Sequence, residues 1–405
     1  MGSATKQVLK VDSECGMSGS IRLSKLVFPN AGMPRDHSLR AAITPLLLLA
    51  SLFLVSVPLA PSARAQTVVL TMGVGASPAG VACDPSKGEV FVANQGSNSV
   101  SVISDTSNEV VANVSVQRGP IFLAYDPSKA EVFVADYLSK AVSVISDANN
   151  SVVATVGVGS YPAGVAYDSS KGEVFVANSG PYPKGNDTVS VISDANYKVV
   201  ATVKVGLEPW GVAYDSTKGE VFVTNHGNNN VSVISDASDT VVATVGVGAY
   251  PRDVAYDPSK GEVFVTNPLD NTTSVISDAT NKAVANVSVG ANPNGVAYDS
   301  SNGEVFVANY EGSSVSVVSD TTNKVVATVS VGTRPYFVAY DSSKGEVFVT
   351  NQEDNTVSVI SNPSPPGLPW IYLGTAAAVV VVIIGAAVYY MVIRRRPKPS
   401  AAPPP

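Results

Sequence analysis

The chain has 405 residues, a formal net charge of −7, and only two Cys and two His. So few thiols and imidazoles exclude a disulfide scaffold, a Cys-x-x-Cys-His haem attachment and a His-rich metal centre. With 45% hydrophobic and 15% charged residues, the chain has enough apolar content for a large packed core.

The N-terminal element is a secretory signal. Residues 44–60 (TPLLLLASLFLVSVPLA) form an apolar run behind Arg35 and Arg40, and Ala63-Arg64-Ala65 offers a small-residue cleavage site before Gln66. Residues 1–65 are therefore read as a signal peptide with a long n-region, and translation from Met33 would give a more ordinary length. The competing reading is an uncleaved anchor helix, for which the run is short.

A phrase reading GVAYDPSKGEVFVAN then recurs. Its Asp falls at Asp84, Asp126, Asp168, Asp215, Asp257, Asp299 and Asp341, in steps of 42, 42, 47, 42, 42 and 42 residues. A period this regular marks one supersecondary unit stacked on its neighbours. The first copy holds AGVACD (79–84), EVFVAN (89–94), SVSVISD (99–105) and VVANVSV (110–116). These runs are rich in β-branched residues, and turn residues separate them. Four short strands per unit predict a propeller blade, and seven units predict seven blades. The seventh copy stops after TVSVIS (356–361) without a fourth strand, whereas QTVVLTMGVG (66–75) reads as a fourth strand with nothing ahead of it. The N-terminal strand should complete the last blade and close the ring, leaving no open edge between blades. The expected fold over 66–361 is thus an all-β, seven-bladed β-propeller.

The strings VFVTN (221–225, 263–267, 347–351) and VFVAN (90–94, 174–178, 305–309), followed by a VSVIS or TSVIS strand, resemble the YVTN family of β-propeller repeats. Phe stands for the family's Tyr in every copy. The resemblance covers about residues 66–362 and implies a propeller of the archaeal surface-layer-like kind. It implies no single activity, since propellers host unrelated functions.

The C-terminal elements predict an anchor. Residues 362–369 (NPSPPGLP) form a stiff Pro-rich linker reaching only about 25 Å. Residues 370–393 are uncharged and about 36 Å long as a helix, enough to span a bilayer. Trp370, Tyr372, Tyr389 and Tyr390 suit the interfaces. Arg394, Arg395, Arg396 and Lys398 make 394–405 a short basic cytoplasmic tail. The expected location is the cell membrane, single-pass, with the propeller outside.

From Gln66 to Ile393 there are 15 Lys and Arg against 30 Asp and Glu, about −15 in charge. That disfavours nucleic acid and other polyanions as partners. No set of residues suggests catalysis, a cofactor or a metal. His226 sits in Asn-His-Gly-Asn-Asn and reads as a solvated loop residue; Cys83 takes a slot that is Tyr in the other copies and reads as a small buried hydrophobe. The repeated Asp residues read as turn caps, and the ladder Asn94, Asp136, Asn178, Asn225, Asn267, Asn309 and Asn351 as structural. Asn-x-Ser/Thr sequons occur at Asn113, Asn149, Asn186, Asn230, Asn271 and Asn286, several of them a by-product of the repeat.

Turns after the first and third strands barely vary between copies. The other two loop sets share the opposite rim and diverge. The loops into the first strands carry Arg118, Tyr161, Glu208, Trp210, Tyr250, Arg252, Asp253, Asn294, Arg334 and Tyr336. Those after the second strands carry Tyr137, Lys140, His226, Tyr310, Glu311, Glu353 and Asp354, with a five-residue insertion near Pro181–Gly185. Aromatic and Arg residues are common binding hot spots. Arg118, Tyr161, Trp210, Tyr250, Arg252, Arg334 and Tyr336 are the expected binding residues. The expected function is a non-enzymatic binding or adhesion module for a cell-surface protein or glycan. The rival expectations are a lactonase- or quinoprotein-like propeller enzyme and a purely structural surface-layer component.

Overall fold

The computed structural model of the chain describes residues 66–180 and 187–361. The expected signal peptide, linker, membrane span and basic tail lie outside these residues, as do the insertion at Pro181–Gly185 and Asn186. Among the described residues no helix is long and apolar enough to cross a membrane.

The described residues form seven four-stranded antiparallel sheets. In the first blade the strands are Pro78–Asp84, Glu89–Asn94, Ser99–Ser104 and Glu109–Ser115. First strands of successive blades pack on one another around a central channel, and the first strand of the seventh blade packs on that of the first. Second strands are buried almost throughout, whereas fourth strands form the outer wall and alternate with solvent. One Phe per blade (Phe91, Phe133, Phe175, Phe222, Phe264, Phe306, Phe348) is fully buried. Burying such a ring is worth roughly 1.5–3 kcal/mol. A Tyr hydroxyl at these positions would need a polar partner inside the core, which fits the uniform use of Phe.

The ring closes as the strand accounting requires. Thr67–Gly73 pairs antiparallel with Thr356–Ser361, from Thr67 opposite Ser361 to Gly73 opposite Thr356. Across the same seam Thr350 Oγ1 donates to the Ala79 carbonyl at 2.6 Å, and the Ser77 amide donates to Asn355 Oδ1 at 2.7 Å.

The ladder residues are structural. Asn94 Nδ2 donates to Ser101 Oγ at 2.9 Å and Ser99 Oγ at 3.3 Å, with counterparts in the other Asn-bearing blades. Asp84 Oδ1 accepts from the Ser86 amide at 2.9 Å, capping its own turn. The invariant rim is also a latch between blades. Lys87 Nζ donates to the Asp147 carbonyl of the next blade, and Lys129, Lys171, Lys218 and Lys344 repeat the contact. Lys260 instead reaches Thr321 Oγ1 at 3.5 Å. Changing these lysines is therefore not structurally silent.

In most blades a Tyr hydroxyl ties the first strand to the preceding blade, as Tyr167 Oη does with Ser128 Oγ at 3.0 Å. Cys83 holds that slot at the seam. Burial and the nearby Asp341, Asp105 and Asp84 push its thiol pKa well up, which keeps it protonated and a poor nucleophile.

Candidate binding site at the channel mouth

The variable rim is built on three positions per blade. The first precedes a Pro and takes positive φ: Ser77, Gly119, Tyr161, Glu208, Tyr250, Asn292 and Arg334. The left-handed region costs an L-residue roughly 1–2 kcal/mol, yet Tyr161 holds φ 52°, Tyr250 65° and Arg334 54°. The fold supports this strain from the preceding blade. Asn98 Oδ1 accepts from the Gly119 amide, Asp187 Oδ1 from Glu208, and Asn229 Oδ1 from Tyr250. The second position, two residues on, carries Ala79, Ile121, Ala163, Trp210, Arg252, Asn294 or Tyr336. The third opens the loop after the second strand: Gln95, Tyr137, Ser179, His226, Pro268, Tyr310 or Gln352.

Backbone hydrogen bonds stitch the two loop sets together within a blade, as from the Tyr137 amide to the Gly119 carbonyl and from the His226 amide to the Glu208 carbonyl. The two sets do share one rim. Thr224 and Thr266, which like Thr350 stand where the other four copies have Ala, donate to the carbonyls of Arg252 and Asn294 at 2.7 and 2.6 Å. The Thr/Ala alternation in the repeat thus fixes the backbone under two mouth residues.

Divergent side chains gather in one sector. Tyr137 lies 5.2 Å from Tyr161 and 5.8 Å from Trp210 between ring centroids, and Trp210 lies 5.8 Å from His226. His226 meets the edge of Tyr250. The Arg252 guanidinium sits 5.0 Å over Trp210 and 5.4 Å over Tyr336, and its Nη2 donates to Tyr336 Oη at 3.1 Å. Tyr137, Tyr161, Glu208, Trp210, His226, Tyr250 and Arg252, with Ser179 and Gly180, line a cavity of about 420 Å³. Apart from this cavity, the buried Phe122 and Phe337 meet edge to face at 4.3 Å between ring centroids.

Several expectations need correction. His226 is not solvated; it is 6% exposed in the short 3-10 turn His226–Asn228. Burial, and then the Arg252 charge, lower its pKa to about 3, so the imidazole is neutral. Tyr336 is not an exposed contact residue. It lies on the strand Pro335–Asp341 at 6% exposure and supports Arg252 from beneath. Arg118 is exposed but does not line the cavity; its amide is held by Ser139 Oγ at 2.8 Å. Arg334 belongs to a neighbouring group, 5.6 Å over Tyr310 and 3.2 Å from Glu353 in an exposed ion pair. Tyr161, Trp210, Tyr250 and Arg252 do converge.

Sequence reasoning missed the unpartnered polar atoms here. Trp210 Nε1, His226 Nδ1 and Arg252 Nε make no hydrogen bond, nor does either amide atom of the fully buried Asn294. Each such buried atom costs roughly 1–3 kcal/mol. Asp253, beside Arg252, is buried and its pKa is raised to about 7 by desolvation, against hydrogen bonds from the Val296 and Val254 amides. Among the described residues no cluster of His, Cys, Asp and Glu could hold a metal ion.

Of the sequons, Asn113 and Asn286 are exposed on fourth strands, their Oδ1 atoms accepting from Ser101 and Ser274. Asn149 is exposed in a turn. Asn271 is exposed with Oδ1 bound by the Asn292 amide, and Asn230 is half-buried against Asn225.

Two segments, residues 207–234 and 291–318, match the NHL repeat model. Both run from the mouth loop of a blade into its third strand. No curated protein matches the chain by sequence. Among solved structures, a chain of Kuenenia stuttgartiensis hydrazine synthase is similar in fold, with TM-score 0.65 and 20% identity over 72% of this chain and 97% of that one. The chain is thus a propeller repeat protein.

Proposed function

We propose that this protein is a membrane-anchored, cell-surface binding or adhesion module that engages a protein or glycan through the mouth of its propeller. The reading makes it a non-enzymatic member of the YVTN, surface-layer-like kind, held by the helix expected at 370–393. One observation carries it. Aromatic rings and a guanidinium gather in one sector of one rim, whereas the other rim repeats one latch around the ring. Selection for folding alone would treat the two rims alike.

The test is an array of surface glycans and peptides probed with the full chain. Trp210→Ala/Tyr250→Ala should lose the array signal while melting within a few degrees of wild type. Undiminished binding by that variant moves the working surface elsewhere.

A further inference from the structure

The mouth cavity contains a positive charge that the protein does not neutralise. Arg252 takes part in none of the ion pairs found among the described residues. Its guanidinium lies between Trp210 and Tyr336, with Nη2 on the Tyr336 hydroxyl and Nε unpartnered. The adjacent Asp253 directs Oδ2 to the Val296 amide at 2.9 Å. Glu208 lines the same cavity without forming an ion pair with Arg252. A half-buried guanidinium flanked by rings suits one carboxylate, because the fork geometry of Arg matches it.

The rest of the cavity defines what carries that carboxylate. Its walls are flat rings, Tyr137, Tyr161, Trp210 and Tyr250, with no aliphatic lining side chain. Such faces suit the C–H face of a sugar ring. Glu208 can accept from hydroxyls, and it opposes a second negative charge. A peptide backbone would find fewer partners, since loop amides such as Tyr137, Ser179 and His226 are already bonded to the facing loop. The volume of about 420 Å³ suits one or two sugar units.

We propose that the cavity is a subsite for an acidic saccharide, with a uronic-acid carboxylate on Arg252 and the sugar ring against the Tyr137–Tyr161–Trp210–Tyr250 wall. This deepens, and rests on, the reading of the mouth as the binding surface. The excess negative charge of the domain selects a single acidic residue or chain end over a polyanion.

The experiment is calorimetric titration of the full chain with cellobiouronic acid and with cellobiose, which differ by one carboxylate. The acid should bind at least tenfold more tightly, and the difference should shrink with added salt. Arg252→Gln should bring the acid down to the affinity of cellobiose, and Trp210→Ala should weaken both. Arg252→Lys keeps the charge and should retain part of the preference, which separates charge recognition from lost packing. Equal affinity for the two sugars overturns the acidic subsite and leaves the mouth a glycan site. Arg252-dependent binding of an acidic tripeptide, with neither sugar bound, overturns the saccharide assignment. Binding of none of the three probes overturns this inference, and the array result with Trp210→Ala/Tyr250→Ala still decides the broader reading.

Discussion

Asp136→Asn should stabilise the propeller, and by more at alkaline pH. Asp136 is fully buried at the ladder position that is Asn in the other six blades. Its Oδ2 accepts from Ser143 Oγ at 2.7 Å, and its Oδ1 has no partner. Desolvation, partly offset by the Ser143 hydrogen bonds, raises its pKa from 3.8 to about 7. The folded state therefore holds this proton more tightly than the unfolded chain. The penalty is absent below the unfolded pKa, grows between about 4 and 7, and is constant above. At 1.36 kcal/mol per unit it reaches about 4 kcal/mol at pH 8 and about 1.6 kcal/mol at pH 5. Asn does not titrate, and its Nδ2 can donate to Ser143 as Asn94 does to Ser101. The second acceptor of the other blades is missing, because Ala141 stands there. Melting of wild type and variant at both pH values is the assay. With roughly 2 °C per kcal/mol for a domain of this size, the gain should be about 8 °C at pH 8 and about 3 °C at pH 5. A gain that does not change with pH, or a loss at pH 8, would refute the buried protonated carboxyl.

Deleting residues 66–75 should lower the melting temperature and promote dimers or aggregates, because Thr356–Ser361 loses its partner and becomes a free edge; an equally stable monomer on light scattering would contradict closure. Thr350→Ala should cost about 1 kcal/mol in denaturant unfolding, from loss of the bond to the Ala79 carbonyl across the seam; no change would show that this contact adds nothing. By NMR, His226 should stay unprotonated from pH 8 to pH 4.5. The unfolded chain takes that proton below about 6.5, so this burial lowers stability as pH falls through 6.5; an ordinary midpoint near 6.5 would return His226 to solvent.

Strand count, blade count and closure were legible because each rests on local pattern: β-branched runs, turn residues at fixed offsets, and an orphan strand matching a missing one. The site was only half legible. Comparing copies found the rim that the two divergent loop sets share, and the column Ala79, Ile121, Ala163, Trp210, Arg252, Asn294, Tyr336 is among its most divergent. Exposure was not readable there. His226 looks solvated among Asn and Gly, but Trp210 and Tyr250, each many residues away in sequence, enclose it. Tyr336 looks like a loop residue, but its strand begins one residue earlier and turns the ring inward. The lysine latch was hidden for a similar reason, since each Lys reaches across to a blade other than its own.

Hydrogen exchange on the full chain, with and without its strongest array ligand, tests the binding surface most directly. The account predicts added protection in the mouth segments 158–161, 205–210, 226–229 and 247–252, with the latch turns after the first and third strands unchanged. Protection confined to those latch turns, or to the outer fourth strands, would contradict it.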